Sequence, residues 1–251
     1  MVKGLDMFRE YFRDFQGQYV LIGGAACDVV FGAANRVFRA TKDLDMVLIV
    51  EALTPAFGRR FWEFIGAGGY ENKLRSNGAP QFYRFEKPKT PDFPHMIELF
   101  TKTESVLDRD AHGCVPLHLD DEISSLSAIL LNSDYYQMLL AGRTVLGGLP
   151  VLPHAYLILF KAKAWLDLSG RRAAGQSIDS KDIRKHMNDI VRLASMLTDS
   201  ERCEMPESVR ADMERFIEAL GEESVDMKAL GVSPLTLADI LDALKKVYLP
   251  Q

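Results

Sequence analysis

The sequence predicts a mixed α/β domain, a sheet flanked by helices, followed by a C-terminal helical bundle. Two observations carry this. Up to about residue 152, apolar runs of strand length alternate with amphipathic stretches of helical period. After Pro153 long helices take over. The expected division is therefore 1–152 and 153–251, and 251 residues suffice for one large domain or two small ones.

Each element has its own signal. Leu5, Phe8, Phe12 and Phe15 recur at helical spacing, so a helix over 5–15 begins the chain. Tyr19 to Ile22 reads as a strand, and Gly23-Gly24 turns it into a helix reaching about Ala34. Asn35 to Lys42 is a polar, basic loop. Met46 to Val50 is a continuous apolar run, as in a strand buried on both faces. Thr54-Pro55 starts a helix whose apolar face is Phe57, Phe61, Phe64 and Ile65, with Gly66 to Gly69 ending it. Tyr70 to Leu74 and Gln81 to Phe85 flank Ser76-Asn77-Gly78, a hairpin signal. After the proline-rich loop 88–94, His95 to Phe100 forms a further strand.

The chemistry concentrates around the first two strands. Asp43 and Asp45 are separated by one residue at the entrance of the second strand, so both side chains point to one face. Two carboxylates there repel unless a cation or proton lies between them, and they suit a hard divalent ion such as Mg²⁺ or Mn²⁺. Gly23 and Gly24, at a helix start, leave backbone N–H groups to meet a phosphate. Glu98 lies between Ile97 and Leu99 and faces the opposite side of its strand; beside the aspartate strand it makes a third carboxylate. Arg39 is suited equally to a nucleotide phosphate or to one of the aspartates, and Thr41 to holding the aspartates in register. Metal seat and phosphate cradle together point to phosphoryl or nucleotidyl transfer.

Gly23-Gly24, Arg39-Ala-Thr41-Lys-Asp43-Leu-Asp45 leading into an apolar strand, and Met96-Ile97-Glu98-Leu99-Phe100 resemble the DNA polymerase β-like nucleotidyltransferase superfamily. The Arg39/Thr41 spelling is most similar to its AbiEii-type toxin branch, and the resemblance covers residues 18–101. It implies a nucleotidyltransferase fold with Asp43, Asp45 and Glu98 as metal ligands and an NTP, such as ATP, as substrate. It also implies tRNA or another RNA as acceptor and a separately encoded antitoxin as partner. Glu stands at 98 where Asp is more usual.

The second half is sparser. Val115 to Leu119, Ser127 to Leu131 and Tyr136 to Leu140 read as further strands, the last followed by Gly142-Arg-Thr144-Val-Leu146. His154 to Ser169 reads as a buried helix with Gly170 beyond its end. Within it Lys163 has Asp167 four residues on as a partner, whereas Lys161 has only Leu157, Ile158, Ala164 and Trp165 around it. Such a lysine either meets an anion or snorkels to water. The AbiEii resemblance, through Lys161 to Ala164, implies a triphosphate contact for Lys161. It also implies an acid on the next helix, with Asp182 in Lys181-Asp182 as the nearer match and Asp189 as the alternative. Helices over 206–220 and after Ser233 complete the bundle.

Composition narrows the classes. A net charge of −5 argues against a general nucleic-acid binder, although Arg171, Arg172, Lys181, Arg184, Lys185 and Arg192 form a basic cluster open to an RNA acceptor. Cys27, Cys114 and Cys203 lack metal spacing and suit a reducing cytoplasm. No apolar run approaches a membrane span. Two rivals stand beside an RNA-directed transferase: transfer to a small molecule of the aminoglycoside type, and a non-catalytic nucleotide- or partner-binding domain of the same fold.

Overall fold

The computed structural model describes residues 2–74, 80–102, 105–107, 114–116, 129 and 132–249. The chain divides into two compact units, Met1–Ile123 with Arg143–Pro153, and Ser124–Gly142 with His154–Gln251.

The first unit contains α1 (Leu5–Tyr11), β1 (Tyr19–Ile22), α2 (Gly23–Ala33), β2 (Asp43–Leu48) and α3 (Pro55–Gly68). Strands β3 (Glu71–Leu74), β4 (Pro80–Glu86), β5 (Met96–Phe100), β6 (Ser105–Leu107) and β7 (Cys114–Pro116) follow. The helix expected over 5–15 stops after Tyr11, and Arg13–Phe15 adds one 3₁₀ turn. The expected strand over 115–119 is seen as Cys114–Pro116, its remainder lying outside the described residues, as do Ser76–Gly78 and all of 127–131 except Ile129.

One mixed sheet of seven strands organises this unit. Its order is β3-β4-β5-β2-β1, continued by two strands from later in the chain, β9 (Leu149–Val151) and β8 (Thr144–Leu146). Gly147 and Gly148, both at positive φ, close the β8–β9 hairpin, and β9 runs parallel to β1. At the centre β1 pairs antiparallel with β2, and β2 pairs parallel with β5. The apolar run of β2 explains that central place: Leu44, Met46, Val47 and Leu48 are all buried.

Aromatic side chains of α1, β1 and α3 form the principal cluster. Phe8 meets Tyr19 and Phe64 edge-on at 5.5 and 5.6 Å, and Phe12 lies 5.6 Å from Phe57. Edge-to-face pairs of this kind add about 0.5–1.5 kcal/mol each beyond the area they bury. Thr54 caps α3 by accepting from the Phe57 N–H at 3.3 Å, with Pro55 at the first helical position.

The second unit is helical: α4 (Ser133–Gly142), α5 (His154–Ala173), α6 (Ser180–Ala194), α7 (Glu207–Gly221) and α8 (Leu237–Tyr248). Here the expected strand over 136–140 is corrected to helix. Asn132 Oδ1 accepts from the Asp134 and Tyr135 N–H groups at 2.9 and 3.4 Å. Tyr135, Tyr136, Met138, Leu139 and Gly142 are buried at the 3.6-residue period. The end of α5 is corrected as well: it runs through Gly170 to Ala173, and the chain turns at Gly175, where φ is +89°. No helix among the described residues is long and apolar enough to cross a membrane.

Candidate functional site

Strand register in the first unit aligns the acidic residues. Asp45 is the cross-strand partner of Glu98 in the parallel β2–β5 pair, and Asp43 is the partner of Met96. Alternation then puts Asp43, Asp45 and Glu98 on one sheet face, while Leu44 and Ile97 enter the core on the other. All three acids are half-buried.

The glycines lie against the same place. Ile22, the last residue of β1, is the register partner of Asp45, so the chain enters α2 beside the Asp45 side chain. Gly23 adopts φ +64°, and a methyl group there would overlap Asp45 Oδ2 and lie 2.9 Å from Cγ. A methyl on Gly24 would overlap Thr41 Oγ1 and lie 3.0 Å from Thr41 Cβ. The turn therefore requires glycine twice, once for Asp45 and once for Thr41. No side chain caps the start of α2. The first N–H groups of a helix have no partner within it and carry the positive end of its dipole.

Arg39 stacks over its own neighbour, its guanidinium carbon 5.2 Å from the Phe38 ring centroid, and Nη1 donates to the Ala40 carbonyl at 3.2 Å. The Arg36 guanidinium lies over the ring of Phe31, in α2, at 5.1 Å. These contacts lay two guanidiniums along the loop over 34–42, where Val37 is almost wholly exposed.

A residue that the sequence reading missed is central. Arg84 of β4 is the antiparallel partner of Glu98; its Nε donates to Oε1 at 2.7 Å and its Nη2 donates to the same oxygen. Arg84, Glu98 and Asp45 thus form one row across β4, β5 and β2. The signal was present: an arginine at an alternating position of an aromatic strand, in Tyr83-Arg84-Phe85, needs an acid on the neighbouring strand. Register brings the three carboxylates side by side. Their oxygens do not form a closed cage: among the described residues no three His, Cys, Asp or Glu side chains are placed to hold a metal ion.

The other expected residues, Lys161 and Asp182, belong to the second unit. Lys161 is buried in α5 and its Nζ donates to Asp189 Oδ2 at 2.9 Å; Asp189 has no exposure at all. Arg192 Nη1 approaches the other Asp189 oxygen at 3.7 Å. The apolar surroundings expected for Lys161 from its own helix hold, but α6 supplies the anion. Asp182 lies exposed in the first turn of α6, so of the two acids it is Asp189 that pairs with Lys161. The expected Lys163–Asp167 pair is corrected. Lys163 donates to Asp212 Oδ2 of α7 at 2.7 Å, and Asp167 faces Arg171 at 3.7 Å. Asp212 also accepts from Tyr135 Oη at 3.1 Å. Burial first, and the Asp212 carboxylate second, push the Tyr135 hydroxyl well above the usual phenol range.

No protein-family model matches the chain, and no curated protein matches it. Among solved structures it is similar to an antigenic nucleotidyltransferase-like protein from Paracoccidioides brasiliensis, with 14% identity and a TM-score of 0.44 over 91% of this chain and 93% of that one. A likeness at that level leaves function to be argued from the site itself.

Proposed function

We propose that the protein is a Mg²⁺-dependent nucleotidyltransferase that moves a nucleoside monophosphate from an NTP to an acceptor, with an RNA end such as that of tRNA as the acceptor class. The observation that carries this reading is the alignment of Asp43 and Asp45 on the strand face that adjoins the Gly23-Gly24 turn. Hard carboxylate oxygens of this kind suit Mg²⁺ or Mn²⁺. When bound, such an ion supplies Lewis-acid stabilisation of charge on the phosphates.

The chain's own residues divide the remaining work. Asp43 and Asp45 hold the cation. Gly23 and Gly24 let the first turn of α2 lie directly against Asp45 and Thr41, so a phosphate on its first N–H groups would sit beside the cation. Arg39 and Arg36, laid along the neighbouring loop, supply positive charge for the triphosphate. In the transfer, an acceptor oxygen forms a bond to the α-phosphorus, the bond to the bridging oxygen breaks and pyrophosphate leaves. The acceptor proton passes to solvent. Antitoxin restraint, the other implication of the toxin-branch resemblance, belongs to this same proposal.

The test is to incubate the full chain with Mg²⁺, each α-labelled NTP in turn and total tRNA, beside the Asp43→Ala/Asp45→Ala double variant. Label on RNA with the unmodified protein alone is the expected result and names the nucleotide. Mg²⁺-dependent NTP binding without label on RNA redirects the reading to a small-molecule acceptor. Absence of NTP binding overturns it.

A further inference from the structure

We infer that Arg84 takes the place of a second cation at the acidic face of the sheet, so that the divalent seat consists of Asp43 and Asp45 while Glu98 is committed to Arg84. This rests on the function proposed above and narrows its metal site.

Three observations support it. The first is the register: Arg84 opposite Glu98, and Glu98 opposite Asp45, so the guanidinium reaches the acidic row from the strand next to it. The second is the geometry of the pair. Two Arg84 donors, Nε and Nη2, meet one Glu98 oxygen, and the two side chains are only 28% and 12% exposed. A charge-assisted pair shielded to that degree meets little competition from water. The third is charge. Arg84 offsets the Glu98 carboxylate, so this third acid brings no net negative charge to draw a second ion. A second ion at Glu98 would have to displace the arginine or lie against it.

Arg84 is therefore a positioning residue. It fixes the Glu98 carboxylate, keeps it out of the cation's coordination and sets the number of divalent ions the free protein takes. Removing the arginine releases Glu98 toward Asp45.

The experiment is Mn²⁺ titration of the full chain without nucleotide, followed by electron paramagnetic resonance and by calorimetry. It uses the unmodified protein, Asp45→Asn, Glu98→Gln and Arg84→Met, each checked for folding by circular dichroism. The unmodified chain is expected to bind one Mn²⁺. Asp45→Asn should weaken binding about tenfold or more, and Glu98→Gln should leave it within about threefold. Arg84→Met should tighten binding by about tenfold or add a second Mn²⁺, because a third carboxylate becomes available. Loss of binding in Glu98→Gln comparable to that in Asp45→Asn overturns the inference and leaves the transferase reading standing. So does a second Mn²⁺ on the unmodified chain, or an Arg84→Met protein that folds and binds as before. If Arg84→Met does not fold, Glu98→Gln decides alone. No Mn²⁺ binding by the unmodified chain overturns the cation seat itself and the proposed function with it.

Discussion

Gly23 and Asp45 are fitted to one another: the Asp45 side chain lies where any β-carbon on residue 23 would stand, with its Cγ 2.9 Å from that position. The backbone at Gly23 is also left-handed, at φ +64°. Gly23→Ala therefore faces a conformational cost of about 1–2 kcal/mol before any overlap is counted. Asp45 must move as well, and under the proposed function a displacement of about 1 Å there would cost on the order of 100-fold in rate. Gly32 is the control, because it lies in the same helix, exposed, with no heavy atom near its missing β-carbon. Gly32→Ala should gain about 0.5–1 kcal/mol. Urea unfolding of both variants checks the contrast, and equal effects would remove the special role of Gly23.

Tyr19 carries a hydroxyl that the core does not use. The ring is fully buried, and its Oη finds no hydrogen-bond partner among the described residues. Burial drives its ionisation far above the usual phenol range, so the group stays protonated at any ordinary pH. A buried polar atom without a partner costs about 1–3 kcal/mol in lost hydration. Tyr19→Phe keeps the ring contacts and removes that cost. Its stability should rise by about 1 kcal/mol in denaturant titration, and a fall would mean that the hydroxyl has a partner after all.

The Lys161–Asp189 pair makes an asymmetric prediction. Asp189 is wholly buried and Lys161 nearly so. Asp189→Ala takes the buried carboxylate away from both Lys161 and Arg192, and should cost about 3–5 kcal/mol. The double replacement Lys161→Met/Asp189→Leu removes both charges together and should recover much of that loss. Asp182, exposed at the start of the same helix, should tolerate alanine within about 0.5 kcal/mol. Thermal and urea unfolding of the three variants give the order directly.

What the sequence disclosed follows a physical divide. Periodicity and turn residues are local, so β1, α2, β2, α3 and β5 were legible, and so was the shared face of Asp43 and Asp45. Glu98 could be assigned to a face but not to a neighbour, because pairing with β2 is a long-range choice. The partners of buried charges were illegible for the same reason. Lys161 finds Asp189 28 residues away, Lys163 finds Asp212 49 away, and Arg84 finds Glu98 across a hairpin partner. The misread stretch at 136–140 is different. Its helical period and its Asn132 cap were both local, but Tyr136 and the apolar run after it mimic a strand.

Lys163 illustrates how the distant partner governs energetics. Asp212 gathers Lys163 at 2.7 Å, Tyr135 at 3.1 Å and Arg215 at 3.5 Å, and is itself 7% exposed. Asp167, the partner expected from helical spacing, is half-exposed and faces Arg171 instead. Asp212→Ala should therefore destabilise by about 3 kcal/mol, since it leaves a phenol and an ammonium without their acceptor. Asp167→Ala should change stability by less than about 0.5 kcal/mol. Comparable losses in the two would contradict the arrangement.

The start of α8 provides a pH signature. Thr236 and Asp239 form a reciprocal cap: Thr236 Oγ1 accepts from the Asp239 N–H at 3.2 Å, and the Thr236 N–H donates to Asp239 Oδ2 at 2.7 Å. The backbone bond first, and the Thr236 hydroxyl second, hold the Asp239 carboxyl below the ordinary aspartate range. A carboxyl whose value is lower in the folded chain stabilises it fully above its unfolded value, about 3.9. That contribution is lost as the pH falls through the folded value. Asp239→Ala should consequently be less stable than the unmodified chain at pH 7, with the gap narrowing steadily as the pH drops below about 4. Denaturant midpoints measured at several pH values test this, and a gap that stays constant with pH would show that the carboxylate's charge takes no part in the cap.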